Sequence, residues 1–160
     1  MLQSSAYRQK ASPRSGLMPA SDGAFYGVAA NGGSAAQGVA FRATPDVALT
    51  TLAAFGGAKG AFPEAGLVMG RDGACYGTTH SGGLNACGTV FRMTTNGTVT
   101  TLASFDQANG SNPRAALVEG RDGGLYGTTS KGGGNGRGNI FRLTLDDHMP
   151  SLVRTAAVGR

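Results

Sequence analysis

The chain has 160 residues, a length typical of one domain or of a short repeat array. It contains 28 glycines and only 14% charged residues, against about 7% glycine and about 25% charged residues in an average globular protein. Because a glycine inside a helix costs about 1 kcal/mol relative to alanine, this composition argues against a helical bundle. No strict Gly-X-Y period supports collagen, and no apolar run reaches the roughly 18 residues that span a bilayer. These limits leave an all-β chain rich in turns.

The formal net charge of +5 resides at the two ends of the chain. Basic and acidic side chains balance between residues 17 and 153, and the excess comes from Arg8, Lys10, Arg14, Arg154 and Arg160. A phosphate-binding face needs basic residues gathered on the folded surface, so we predict no nucleic-acid partner. The first residues contain no apolar stretch of about 7–15 residues, so they do not predict a secretory signal. The chain is expected to be cytoplasmic as it stands or to be a fragment without its leader.

A repeat of fifty residues runs three times through the chain without insertion or deletion. Its register is kept by recurring residue types, which in the second unit are Pro63, Asp72-Gly73, Tyr76-Gly77, Gly82-Gly83, Phe91-Arg92 and Leu102. Self-similarity of this kind is typical of repeat architectures. We therefore predict three units over residues 12–61, 62–111 and 112–153. A disordered basic tail over residues 1–11 and a second tail over residues 154–160 are expected to flank them.

Each unit is predicted to form four short antiparallel strands. In the second unit the expected strands are Ala65–Met69, Ala74–Thr79, Gly88–Thr94 and Thr98–Phe105. Asp-Gly and Asn-Gly pairs favour the tight turns of β-hairpins, and they lie between the first two and the last two of these strands. Between the middle strands lies a glycine-rich loop, His80–Cys87.

Alternation assigns the side chains of each strand to two faces of its sheet. In the second strand it predicts one face with Cys75 and Gly77 and an opposite face with Tyr76 and Thr78. In the fourth strand the residues expected to share one face are Val99, Thr101, Ala103 and Phe105.

The motif of the second unit runs from Gly66 to Thr79 and continues with Gly82-Gly83 and Gly88-Thr89-Val90-Phe91. With the matching residues 122–129 of the third unit, it resembles the bacterial Gloeo/Verruco (GloVer) tandem repeat. The first unit departs from that pattern, with Val28-Ala29 in place of two threonines. The resemblance covers about residues 12–153. It implies kelch-like β-propeller blades and a surface or secreted role within longer proteins, and it implies no known activity.

Three units are fewer than the roughly four to eight blades of a closed propeller. The chain is a fragment, or two chains pair by two-fold symmetry into a six-bladed ring, or the repeats close on themselves as a β-trefoil or β-prism. The resemblance favours blades, so we predict an all-β fold of three tandem four-stranded antiparallel repeats that form a partial propeller. Thr155 stands where the earlier units have Phe55 and Phe105, which indicates that the last unit departs from the repeat pattern at its end.

The two cysteines fall in the second unit. Cys75 replaces Phe25 and Leu125, which indicates a core position, whereas Cys87 replaces Gln37 and Arg137, which indicates an exposed loop position. Side chains that point in different directions do not meet the geometry of a disulfide, so we expect free thiols.

The repeated polar residues are expected to serve the fold of each unit. The tyrosines Tyr26, Tyr76 and Tyr126 are predicted to pack between units. The arginines Arg42, Arg92 and Arg142 are predicted to bond carbonyls or the repeated aspartates Asp22, Asp72 and Asp122, which are turn formers. His80 and His148 are the only histidines and form no two-histidine motif, so no metal site is predicted, and no cofactor is expected.

Residues that differ between units mark the candidate ligand site, because variable loops on a rigid β scaffold commonly carry binding specificity. The candidate ligand-binding residues lie in and beside the glycine-rich loop and are Asn31, His80, Ser81, Lys131 and Arg137. We predict no catalytic residues.

The expected function is that of a non-catalytic repeat module for binding or scaffolding at the cell surface or outside the cell. Its expected partners are a second copy of the chain or missing blades of a longer protein, and a carbohydrate or protein ligand. Two alternatives stay open: a polysaccharide lyase or hydrolase that is active only as a closed ring, and a lectin-like β-trefoil.

Overall fold

The computed structural model describes residues 11–145 and 151–157 and shows three antiparallel β-sheets, one for each fifty-residue unit. The strands of the first unit are β1 (Met18–Pro19), β2 (Phe25–Ala29), β3 (Val39–Ala43) and β4 (Leu49–Ala54). Those of the second are β5 (Val68–Met69), β6 (Cys75–Thr79), β7 (Thr89–Met93) and β8 (Val99–Ser104). Those of the third are β9 (Ser111–Pro113), β10 (Val118–Glu119), β11 (Leu125–Lys131), β12 (Asn139–Thr144) and β13 (Ser151–Ala157). The all-β, four-stranded repeat is confirmed.

In each sheet the strands follow one another in chain order, and β9 adds to the third sheet by pairing with β11. A short 3₁₀ turn, Gly57–Lys59, connects the first sheet to the second. Among the described residues no helix is long and apolar enough to cross a membrane.

The first strand of each unit is shorter than the sequence predicts. In the second unit only Val68 and Met69 pair with β6, opposite Tyr76 and Cys75. The chain bends at Ala65, so the apolar residues before Val68 form an irregular segment rather than a strand. Ala65 and Leu67 in this segment are buried. Apolar character alone indicates that such residues are buried and does not distinguish a strand from an irregular segment.

A β-bulge overturns the predicted facing of the fourth strand. Thr101 pairs with Phe91, but the register then shifts so that Ala103 pairs with Val90. Because an extra residue in one strand interrupts the alternation of its side chains, Ala103 lies on the face opposite to that of Thr101. Phe105 then packs against the third unit rather than the first.

The third unit breaks the fifty-residue register in its last strand. In the first unit Phe41 pairs with Thr51, whereas in the third Phe141 pairs with Thr155. Thr155 therefore does not occupy the position of Phe55, as the sequence repeat suggests. Strand β13 also continues to Ala157, beyond the boundary predicted at residue 153.

The sheets pack face against face in chain order. In each unit we call the face that bears the equivalents of Leu67, Cys75 and Phe91 the front face, and the face that bears the equivalents of Tyr76, Thr78 and Val90 the back face. The first core cluster joins the back face of unit 1 to the front face of unit 2 through Met18, Tyr26, Val28, Ala40, Phe55, Leu67, Cys75, Phe91 and Met93. The second joins unit 2 to unit 3 through Tyr76, Val90, Phe105, Leu117, Leu125, Phe141 and Leu143.

The two junctions repeat the same contacts. Phe55 packs on Phe91 with ring centroids 4.9 Å apart, and Phe105 packs on Phe141 at 5.0 Å. The prediction that Tyr26 and Tyr76 pack between units is confirmed, because each lies in one of the clusters. No cluster among the described residues joins unit 1 to unit 3. The structure is therefore an open array consistent with propeller-like repeats, and the self-closed trefoil or prism is wrong.

A close approach inside each unit explains the repeated Tyr-Gly pair. The Phe91 ring and the Leu67 side chain lie over Gly77, where a Cβ atom would be 2.6 Å from Phe91 Cζ and 2.9 Å from Leu67 Cδ2. Gly27 and Gly127 are covered in the same way by their own units. Glycine at this position lets the aromatic ring and the leucine side chain approach the strand closely, on the front face that packs against the preceding sheet.

Candidate functional site

The repeated aspartate, tyrosine and arginine of each unit satisfy one another. In the third unit Asp122 Oδ2 accepts hydrogen bonds from Tyr126 Oη at 2.9 Å and from Arg142 Nη2 at 2.7 Å. Asp122 Oδ1 accepts the backbone N–H of Gly124 at 3.2 Å, which closes the hairpin turn. The same set recurs as Asp22, Tyr26 and Arg42, and as Asp72, Tyr76 and Arg92. The predicted turn-forming and ion-pairing roles of these residues are confirmed.

These contacts keep the repeated carboxyl groups ionised. The Tyr126 hydroxyl, the Arg142 guanidinium and the Gly124 N–H together lower the pKa of Asp122 to about 2. A carboxyl group with such a pKa carries no proton near neutral pH and is a poor general acid. The three carboxylates lie in the hairpin turns of three different units. Each bonds a tyrosine and an arginine of its own unit, so each set stabilises the sheet to which it belongs.

A different set of polar side chains lies at the opposite end of the second strand of each unit. It includes Arg14, Glu64 and Arg114, which lie fifty residues apart in the segments, here called linkers, that lead into β1, β5 and β10. Arg14 Nη1 lies 3.2 Å from Glu64 Oε1. Arg114 Nη2 lies 3.1 Å from His80 Nε2. We call the group Arg14, Glu64, His80, Arg114 and Lys131 the linker row.

His80 sits at the junction of units 2 and 3. Its backbone carbonyl accepts a hydrogen bond from Asn112 Nδ2 at 3.0 Å, and its Nδ1 lies 2.8 Å from Ser81 Oγ. An arginine can only donate hydrogen bonds, so Nε2 is the acceptor of the Arg114 contact and the ring proton resides on Nδ1, facing Ser81. The contacts therefore select the neutral imidazole.

The electrostatic surroundings of His80 favour the same neutral form. Burial lowers the pKa of His80. The charge of Glu64 opposes this shift, and the charges of Arg114 and Lys131 reinforce it. His80 is thus electrostatically linked to residues from two linkers and from the end of β11.

The structure brings together three of the five predicted ligand-binding residues. His80 and Ser81 are in contact, and Lys131 acts on His80 through its charge. Arg137 lies in the same loop as Lys131, where its backbone bridges Gly132, and Asn31 lies in unit 1 next to Ala30, whose N–H bonds the Ser12 carbonyl. Within residues 11–145 no hydrogen bond or ion pair joins the side chain of either residue to the linker row. Arg14, Glu64 and Arg114 were missed because the sequence pattern shows their spacing and does not show that Arg14 contacts Glu64 or that Arg114 contacts His80 of another unit.

The prediction that Cys87 is exposed is wrong. Cys87 is buried between units 2 and 3, and its carbonyl accepts the backbone N–H of Asn112 at 2.8 Å. Gln37 accepts the N–H of Phe62 in the same way at 2.7 Å. This position is covered by the linker of the following unit, which explains why Arg137, its counterpart in the last unit, is exposed.

Neither cysteine forms a disulfide, as expected. Burial, followed by the charges of Asp22 and Asp72, raises the pKa of the Cys75 thiol to about 11. A thiol with such a pKa remains protonated at neutral pH and is a poor nucleophile. In the part of the chain that the structure describes, no three histidine, cysteine or acidic side chains are grouped as metal ligands.

Comparison with known families places the chain in a repeat family. A family model described as the Gloeobacter/Verrucomicrobia repeat matches residues 1–157, and the chain belongs to that family. No curated protein matches the chain.

Proposed function

We propose that this member of the Gloeobacter/Verrucomicrobia repeat family is a non-catalytic binding module that acts at the cell surface or outside the cell and engages its ligand through the linker row. One observation carries the proposal. The triads of aspartate, tyrosine and arginine are the same in all three units and are satisfied internally, whereas the linker row gathers residues that differ from unit to unit. Such differences on a repeated scaffold are typical of a binding surface.

The charge of the linker row favours a ligand with carboxylate groups. Arg14, Arg114 and Lys131 are basic, Glu64 is the one acidic member, and His80 is neutral. Arginine pairs with carboxylates through parallel hydrogen bonds. The repeated tyrosines are held in the junctions or bonded to aspartate, so they are not free stacking platforms for neutral sugars. The ligand class is therefore an acidic polysaccharide or an acidic protein segment.

The test is titration calorimetry with two probes, an oligogalacturonate and an oligoglutamate, which separate the carbohydrate source of carboxylates from the protein source. The Arg114→Ala and Lys131→Ala variants should each bind about tenfold more weakly, since one charge-assisted hydrogen bond contributes about 1.5 kcal/mol or more. The control Arg121→Ala removes an exposed arginine at the opposite end of β11 and should bind as the unmodified protein does.

Failure of the unmodified protein to bind either probe would contradict the proposal, as would equal binding by the linker-row variants. Shortening of the oligogalacturonate during incubation would contradict the non-catalytic assignment and favour a lyase or hydrolase.

A further inference from the structure

Among the described residues, the two outer faces of the array correspond to the two halves of an internal junction and are covered by no other unit. The front face of unit 1 carries Leu17, Phe25 and Phe41, the equivalents of residues that units 2 and 3 bury against their neighbours. Leu17 is 53% exposed, whereas Leu67 at the same position of unit 2 is 8% exposed. The front face of unit 1 therefore displays apolar side chains that the repeat elsewhere covers.

The back face of unit 3 shows the opposite half. Ile140 is 49% exposed and Val118 is 64% exposed, whereas Val90, the counterpart of Ile140 in unit 2, is fully buried at 0%. Tyr126 is half-buried, although Tyr26 and Tyr76 are buried. The front face of unit 1 and the back face of unit 3 are thus the two halves of a third junction, and nothing in the part of the chain that the structure describes covers them.

We propose that these two faces bind one another in a second copy of this chain, so that two copies close head to tail into a ring of six units. A second copy fits both faces, because each internal junction joins a back face to a front face and the described residues of one copy leave one uncovered face of each kind. A contact between unlike faces is heterologous and forms a closed ring only if its rotation closes.

The number of copies follows from the size of propeller rings. Closed propellers contain about four to eight blades. One copy supplies too few units for a ring, and three copies would exceed that range. Two copies fall inside it and leave neither face exposed, which removes both apolar patches.

Charged contacts of the internal junctions are not reproduced at the new junction. Arg71 pairs with Glu119 across the second internal junction, whereas unit 1 has Pro19 at the position of Glu119. Arg14 pairs with Glu64 across the first junction, but ring closure places Arg114 of one copy beside Arg14 of the next, with no carboxylate at that position of either unit. These are exposed side chains, whose repulsion salt screens. The apolar faces therefore dominate the association.

The test uses two variants that each disable one face, Leu17→Lys on the front face and Ile140→Lys on the back face. Sedimentation velocity should give a dimer for the unmodified protein, at twice its 16.0 kDa, and a monomer for either variant alone. The dissociation constant should rise by roughly 100-fold or more, as is usual when a central apolar contact is lost. Both sites are about half-exposed in the single chain, so lysine is accommodated there, and circular dichroism verifies the fold. Leu84→Lys is the matched control, because Leu84 is 82% exposed in a loop and should leave the dimer intact.

Mixing the two variants gives the sharpest result. Because the junction is heterologous, the intact front face of Ile140→Lys can bind the intact back face of Leu17→Lys, and the mixture should form a two-chain species held by one junction. A monomeric unmodified protein, an open-ended series of larger species, or a mixture that stays monomeric would overturn the proposal. A dimer that survives either substitution would overturn it as well, since association would then use another surface.

Discussion

The internal junctions and the outer faces of this array are built from the same residue positions. They differ in whether another unit packs against them. Phe91 of unit 2 is buried against Phe55 of unit 1, whereas Phe41 at the equivalent position is half-exposed because no other described unit packs on the front face of unit 1. The strands that carry these two rings pair in the same register. The difference shows that the burial of a repeated residue is set by the neighbouring unit and only in part by its own sheet, as expected for nearest-neighbour stability in repeat proteins.

The largest effect expected from this comparison is the loss of a junction ring. Phe91→Ala should lower the free energy of unfolding by about 3–5 kcal/mol, because it empties a fully buried site. Phe41→Ala should cost about 1–2 kcal/mol, since water already reaches that ring. Urea unfolding of both substitutions in the Ile140→Lys background keeps association from masking the difference. Equal losses would show that the junction does not determine the burial energy.

The glycine beneath the ring gives a second comparison. Gly77→Ala should destabilise the protein by about 1–3 kcal/mol, since the new Cβ overlaps Phe91 and Leu67 in a packed junction. Gly27→Ala meets the same atoms of its own unit, but there Phe41 and Leu17 face water and can move aside. The expected loss is below about 1 kcal/mol. Thermal unfolding of the two variants in the monomeric Ile140→Lys background measures the contrast, and a larger loss at Gly27 would refute it.

A smaller and stabilising effect is expected at Thr78. Its hydroxyl is buried on the back face of unit 2 and has no hydrogen-bond partner among the residues that the structure describes, and unit 1 has Val28 at this position. Thr78→Val should therefore raise the free energy of unfolding by about 1 kcal/mol. Thr128→Val, at the exposed counterpart in unit 3, should change the stability of the monomer by less than about 0.5 kcal/mol. Denaturant titrations that find Thr78→Val neutral or destabilising would indicate a partner for the hydroxyl.

The smallest effect is a pH dependence carried by His80. Its folded-state pKa lies below the ordinary value of 6.5, so the unfolded chain takes up a proton that the folded chain resists. The free energy of unfolding should therefore fall as the pH drops through 6.5, and the loss should end below the folded-state pKa. His80→Gln should remove this component while leaving the acid-range loss from the aspartates. Urea midpoints between about pH 8 and about pH 5 measure it, and an unchanged slope in His80→Gln would assign the dependence to other groups.

Exact repetition made much of the sheet architecture predictable from sequence. The Asp-Gly turns, the faces of β6 and the inter-unit packing of Tyr26 and Tyr76 follow from local pattern and recurrence. The bulge before Ala103 and the shifted register of β13 did not, since alternation and a fixed period both assume regular pairing.

The candidate site was less predictable than the sheets. His80, Ser81 and Lys131 were found because they vary between units, but the contact of His80 with Arg114 depends on how one unit is set against the next. The burial of Cys87 has the same origin. A comparison within the repeat shows which positions correspond, and it does not show which positions of different units meet.

Hydroxyl-radical footprinting at low and high protein concentration shows whether the two outer faces bind one another. We expect Leu17, Tyr126 and Ile140 to lose reactivity together as the concentration rises, because the two outer faces cover one another, while exposed Leu84 keeps its reactivity. Unchanged reactivity of the outer faces alongside an increase in mass, or protection of one face alone, would contradict the claim that they are two halves of one junction.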